Sequence, residues 1–259
     1  LKLIAEEISW KDLIRGDISF DGKNLSDPIL IREDNSPVYT LSSVVDDIDF
    51  GITHIIRGED HITNTAIQLQ LIEALGADSK DFIFGHVQYL LGEQGESLSK
   101  RIGSLSLRQL QEEGYEACAL ASYLAKLGTS EDISPTLSLD QLINEFDISH
   151  VGRAAPRFSK TMLDRINTRL LHHQSYNHIQ ERLAEEGLHY IQEEFWNACH
   201  GNINKLLDLK NIWNICTQEL TPRIEDASYL EEACKFLPLE PWSSETWTIW
   251  TQAIKEKTG

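Results

Sequence analysis

Lys100 sits in the run Ser97-Leu98-Ser99-Lys100-Arg101, after an apolar segment from Phe82 to Leu91 and a Gly92-Glu93-Gln94-Gly95 turn. A lysine on a polar loop hung from a buried strand can close over a phosphate. Its ammonium is a compact point charge on a flexible stem, and amides in such loops also bind anions. A second group with chemical potential is Arg57-Gly58-Glu59-Asp60-His61, which ends the β-branched run Ile52 to Ile56. Immediately after it, Ile62, Ala66, Leu69, Ile72 and Leu75 recur at three- and four-residue steps and stop at Gly76. That spacing predicts a helix with a glycine stop. A strand ending where a helix begins sets Arg57 to His61 at the carboxyl edge of a sheet, where open α/β folds bind ligands. From the residues alone, other readings stay open. Glu59 and Asp60 suit a helix start, Arg57 could pair with either of them, and Tyr39 could be a core aromatic.

A third group is basic. Arg153, Arg157, Lys160, Arg165 and Arg169 fall within seventeen residues that contain one acid, Asp164. The chain carries a net charge of −18 over 259 residues, which argues against a generic nucleic-acid binder. The acidity is uneven. Residues 1–96 hold 7 basic and 18 acidic side chains, residues 97–175 hold 9 of each, and residues 176–259 hold 7 and 14. The middle third is therefore a place to which an anion could be steered, although a solvated helix face reads equally well from charge alone.

The elements that must hold these groups follow from pattern. Short β-type runs at Ile8 to Trp10, Ile18 to Phe20 and Ile29 to Ile31 suit hairpins, and Leu1 to Ile4 reads as a strand entered midway. A turn follows at Asp34-Asn35-Ser36-Pro37, and residues 37–76 read as α/β. After the Ser97 loop the chain is almost wholly helical. Ser106 with Gln109 and Ser138 with Gln141 are capping pairs that open helices ending at Gly114 and Phe146. Helices are also expected over 115–127, 160–172, 176–186, 189–200, 203–219, 226–236 and 244–257, with a compositional boundary near residue 175. No apolar run reaches the length of a membrane span. The four cysteines lack metal-ligand spacing and read as reduced, buried thiols of a cytosolic protein.

Several of these stretches together resemble bacterial glutamyl-tRNA synthetase, a class I aminoacyl-tRNA synthetase. They are Pro37 to Leu41, Val44 to Asp47, Gly51 to His61, Ser97 to Arg101, and Glu113 to Tyr115 with Tyr123 to Ala125 and Leu127-Gly128. Order and spacing match from about residue 1 to residue 175. The resemblance implies ATP-dependent formation of glutamyl-adenylate and transfer of the glutamyl group to tRNA. Such a reaction rests on positioning and on stabilising phosphate charge. Carried over by position, Lys100 and Ser99 match the loop that contacts the ATP phosphates, with Lys100 the catalytic cation. Leu90 and Leu91 stand where backbone groups hold adenine. Tyr39, Ser43 and Arg57 line the glutamate pocket, where a guanidinium suits a carboxylate.

Two departures from the family pattern stand out. Ser97 replaces the first lysine of the loop, and no His-x-Gly-His occurs among the nine histidines. The chain therefore reads as a piece truncated at both ends and inactive alone. The expected architecture is α/β plus all-α, the second half of a Rossmann-type nucleotide-binding domain followed by helices. Residues 1–36 would end an acceptor-binding insertion and 37–92 would be the sheet. Residues 93–175 would carry the loop and contact the tRNA stem, and 176–259 would be an incomplete anticodon-binding domain. The implied partners are ATP with Mg2+, L-glutamate, tRNA(Glu) and also tRNA(Gln), with no zinc site in this segment, no DNA and no membrane. A cytoplasmic monomer is implied. A rival reading is a non-catalytic tRNA-binding helical module that uses Arg153, Arg157, Lys160, Arg165 and Arg169. A glutaminyl-tRNA synthetase would end in β-barrels, whereas this tail is helical.

Overall fold

The computed structural model describes residues 1–98, 106–219 and 225–258, so Ser99, Lys100 and Arg101 lie outside the described residues. Two compact units divide inside one helix, Leu1–Ile212 and Trp213–Gly259. The boundary expected near residue 175 falls within the first of them.

The first unit opens with an antiparallel hairpin, β1 (Glu7–Asp12) and β2 (Gly16–Asp21). Alternating exposure along both strands leaves one face for packing, where Trp10 stacks on Phe20 at 5.8 Å. Gly16 takes φ +76 in the turn. The stretch Leu1 to Ile4 is not a strand. Its amides are met by side chains instead, Leu3 N–H by Asp27 at 2.8 Å and Ile4 N–H by Gln70 at 2.6 Å. The run Ile29 to Ile31 shrinks to one bridge, Ile31 with Pro37, because a proline has no N–H with which to extend a ladder.

A strand–helix–strand unit follows. Helix α1 (Tyr39–Asp49) precedes β3 (His54–Gly58), which runs parallel to β4 (Ile83–Val87) through the crossover helix α2 (Ile62–Ala74). Val44 of α1, Leu69, Leu71 and Ile72 of α2, and Phe84 of β4 are buried together. The hairpin docks on this unit through Leu13 N–H, which donates to Phe84 O at 2.8 Å.

Helices α3 (Leu107–Glu112), α4 (Ala117–Lys126), α5 (Leu139–Glu145) and α6 (Lys160–His173) come next. Ser106, Ser138 and Ser159 cap three of them, each side chain accepting from the amide three residues on. Their core joins Leu110, Tyr115, Ala119, Tyr123, Phe158, Leu163, Ile166 and Leu170. Leu91 ties β4's continuation to this layer: its N–H donates to Pro156 O at 3.0 Å and its carbonyl accepts from Phe158 N–H at 2.8 Å. Helices α7 (Tyr176–Glu185) and α8 (Glu193–Cys199) bury Leu183 and Trp196.

The division between units lies in α9 (Asp208–Thr217). The second unit holds its end, α10 (Ala227–Cys234) and α11 (Thr246–Thr258), where Trp250 Nε1 donates to Ala233 O at 2.8 Å. Cys216 and Cys234 are exposed rather than buried, since both sit on short amphipathic helices with wide solvent faces. No helix among the described residues is long and apolar enough to cross a membrane.

Candidate functional site

Arg57 is the penultimate residue of β3, beside His86 of β4 in the parallel register. The helix start that follows, Gly58 to His61, turns the chain so that α2 lies against the same strand end. Two polar residues on α2, Thr65 and Gln68, point back to the guanidinium. Arg57 Nη2 donates to Thr65 Oγ1 and to Gln68 Oε1, both at 2.5 Å, and Arg57 Nε lies 3.5 Å from His86 Nε2. Gln68 in turn donates from Nε2 to Ser43 Oγ on α1 at 2.8 Å. Tyr39, one turn before Ser43, hydrogen-bonds Arg57 and meets His61 edge-on at 5.5 Å. The structure therefore brings Tyr39, Ser43 and Arg57 to one place.

A guanidinium has five N–H donors. His86 faces the one on Nε, and Thr65 and Gln68 take both on Nη2, which leaves the pair on Nη1 for Tyr39 and a ligand to share. A carboxylate arriving at the Tyr39 side would meet one nitrogen of Arg57 rather than a two-pronged fork. Burial lowers the pKa of Arg57, against Tyr39, Asp47 and Asp60, which favour its charge. Burial also raises the pKa of Asp47, with Arg57 opposing. The site thus holds a charged but poorly hydrated cation, which gains most from an added anion.

The alternatives left by sequence resolve in part. Glu59 pairs with Arg15 from the hairpin, not with Arg57. Tyr39 is 52% exposed, so it is no core aromatic.

Behind Arg57 lies a second layer that sequence reading missed. Asp12 and His86 are both buried, and Asp12 Oδ2 meets His86 Nδ1 at 2.5 Å. Asp12 Oδ1 accepts the amides of Ile14 and Arg15 at 3.0 Å and of His86 at 3.2 Å. Burial alone would raise the pKa of Asp12, but these bonds outweigh it and hold the carboxyl below its usual range. Thr65 and Gln68 were legible in principle, as two buried polar positions three apart on an otherwise apolar helix face.

The remaining candidates are dispersed. Leu90 packs against the helical core. Leu91 spends its N–H and accepts at its carbonyl on the 156–158 segment, so its backbone ties two layers together. Ser97 bridges Leu91 across the turn, while Ser99 and Lys100 lie outside the described residues. The basic group does not form one stripe. Arg153 donates to Ile14 O at 3.3 Å, Arg157 lies over Gly95, and Lys160 pairs with Glu113 at 2.6 Å. Arg165 and Arg169, with Lys205, line a cavity of about 1040 Å³ that also presents Glu131, Asp132, Asp164 and Asp208.

A parallel β3–α2–β4 crossover with a half-buried arginine at its carboxyl edge has the form of a ligand-binding edge in an open α/β fold. The family model for class I tRNA synthetases (E and Q), catalytic domain, matches residues 2–165, and the chain belongs to that family. Among curated relatives, a glutamate–tRNA ligase of Azospirillum brasilense is 46% identical over the whole chain, and glutamate–tRNA ligase 2 of Beijerinckia indica is 43% identical over 96% of it. The chain spans 57% and 56% of those two proteins. Among solved structures, a glutamate tRNA ligase from Elizabethkingia meningosepticum in complex with its amino acid superposes with a TM-score of 0.71 at 27% identity, covering 96% of this chain and 52% of that one. The glutamate-tRNA synthetase of Elizabethkingia anophelis gives 0.72 at 25% identity, covering 99% and 58%.

Proposed function

We propose that this segment provides the amino-acid pocket and the phosphate-contacting loop of an ATP-dependent glutamate–tRNA ligase, which makes glutamyl-adenylate and passes the glutamyl group to tRNA(Glu), and in a non-discriminating enzyme to tRNA(Gln). The observation that carries this reading is the gathering of Tyr39 and, through Gln68, Ser43 around the half-buried guanidinium of Arg57. In this reading, Arg57 Nη1 and the Tyr39 hydroxyl meet a carboxylate of L-glutamate. Ser43, through Gln68, sets where the guanidinium stands.

Lys100 and Ser99 are assigned to the ATP phosphates, with Lys100 neutralising charge as the carboxylate attacks the α-phosphate. Leu90 and Leu91 are assigned to the adenine side, where Leu91 could contribute only the free lone pair of its carbonyl without breaking its bond to Pro156. Mg2+ would travel with the nucleotide. Among the described residues no group of three or more His, Cys, Asp or Glu side chains gathers to hold a metal, so no step is assigned to it. Residues 1–36, 37–92, 93–175 and 176–259 keep the assignments of insertion end, sheet, stem-contacting region and anticodon-binding helices, in a cytoplasmic monomer.

A defining experiment is Arg57→Ala in the enzyme that carries these residues, read by glutamate-dependent ATP–pyrophosphate exchange. Loss of a charged hydrogen bond predicts a rise in the glutamate KM of about thirtyfold or more, with the ATP KM little changed. An unchanged glutamate KM would remove the assignment.

A further inference from the structure

We propose that His86 is a positioning residue for Arg57: Asp12 holds its imidazole as the Nδ1–H tautomer, and the bare Nε2 accepts from Arg57 and sets the guanidinium facing the amino-acid pocket. The proposal rests on the glutamate reading of Arg57 for its functional consequence, and on hydrogen-bond accounting for its chemistry.

The accounting is closed by a donor that cannot accept. Arg57 Nε carries a hydrogen and no lone pair, so at 3.5 Å it can only donate to His86 Nε2. Thr65 Oγ1 stands 3.0 Å from the same nitrogen, already accepts from Arg57 Nη2, and has its own proton to give to His61 O or to His86. Nε2 therefore faces one group that can only donate, Arg57 Nε, and accepts from it only when unprotonated. On the other side Nδ1 faces a carboxylate oxygen of Asp12 at 2.5 Å, which can only accept while ionised, so Nδ1 carries the hydrogen. The Asp12 carboxylate is itself fixed by the amides of Ile14, Arg15 and His86, so its orientation is set by the β1–β2 turn rather than by a free rotamer.

The charged groups around His86 agree with a neutral ring. Asp12 and Arg15 face it from the hairpin and Arg57 from β3. Asp47 on α1 and Asp60 after β3 act on Arg57 one step away. Thr65 comes from α2, and the Trp10 and Phe84 rings close the remaining sides at 6.3 and 6.4 Å. Burial pushes the His86 pKa down; Asp12 opposes this, and Arg57 and Arg15 add to it. A proton on Nε2 would set an imidazolium against a guanidinium and remove Arg57's acceptor.

Asp12→Asn tests the idea with almost no change of shape. Asn Oδ1 can still accept the three amides, while its NH2 now points at Nδ1 and forces the hydrogen onto Nε2, opposite Arg57. His86→Gln offers an amide oxygen near the position of Nε2 and has no tautomer to misplace. The expected results are these. Proton-coupled nitrogen NMR of the full chain shows His86 as Nδ1–H in the wild type and Nε2–H in Asp12→Asn. In pyrophosphate exchange by the enzyme that carries these residues, Asp12→Asn raises the glutamate KM about tenfold, equivalent to about 1.4 kcal/mol, with kcat and the ATP KM within about twofold. Adding Asp12→Asn to His86→Gln produces no further rise. Wild-type His86 found as Nε2–H, an Asp12→Asn KM equal to wild type while Arg57→Ala raises it, or full additivity of Asp12→Asn with His86→Gln would each overturn the proposal and leave the glutamate reading standing. If Arg57→Ala leaves the glutamate KM unchanged, that reading falls and the positioning role falls with it, whatever the tautomer.

Discussion

Arg57 illustrates how burial rations a side chain. Its charge was visible from the β-branched run before it, but the number of hydrogens left for a ligand depends on His86, Thr65 and Gln68, which come from other elements. His86 adds a pH consequence. Its pKa is lowered in the folded chain, so the unfolded chain binds the proton more readily. Stability contributed by neutral His86 is therefore complete above the ordinary histidine range and declines as pH falls from about 7 toward 5. His150 has the opposite sign: its bond to Glu131 raises its pKa, so its contribution is lost as pH rises. Urea midpoints of wild type and His86→Gln, compared at about pH 7 and pH 5, should converge at the lower pH. A gap that stays constant would show that His86 does not titrate differently in the two states.

Elements with strong local signals were readable. The three- and four-residue steps from Ile62, the serines at 106 and 138, and the glycine stops at 76 and 114 correspond to α2, α3 and α5 with their caps. Leu1 to Ile4 shows the limit of such reading. The stretch looks like a strand, yet pairing is a property of the partner, and the amides of Leu3 and Ile4 meet the side chains of Asp27 and Gln70. The same limit hid Asp12 with His86. The two are 74 positions apart, and nothing in either neighbourhood announces the other. Packing at the element scale is tested by Leu163→Ala on α6. This side chain is fully buried in the helical core, so the change should cost about 2–5 kcal/mol of unfolding free energy, read by urea denaturation. A loss under about 1 kcal/mol would mean that the site collapses around the deletion.

At the scale of the molecule, the acidic chain concentrates exposed cations in its middle third, and the fold divides them further. Arg165 and Arg169 meet Lys205 at one cavity, whereas Arg153, Arg157 and Lys160 are drawn to other partners or surfaces. The linear cluster does not form one face because Arg153 and Arg157 lie in the segment before α6, while Arg165 and Arg169 share one face of that helix. If the cavity meets RNA phosphates, Arg165→Ala with Arg169→Ala should weaken tRNA binding and reduce the slope of log affinity against log salt by about 1–2, whereas Arg153→Ala should do little. Equal effects from both changes would argue for a diffuse field instead of a site.

The short pairing of Leu91 with residues 156–158 has one more implication. It ends two residues before α6 begins, so the strand end acts as a clamp that sets the rotational phase of that helix. One residue inserted or removed at Ser159 would turn α6 by about 100°. Leu163, Ile166 and Leu170 would swing out of the core together, and the arginines would leave the cavity wall with them. Between Phe158 and Lys160, chain length is under tighter constraint than residue type.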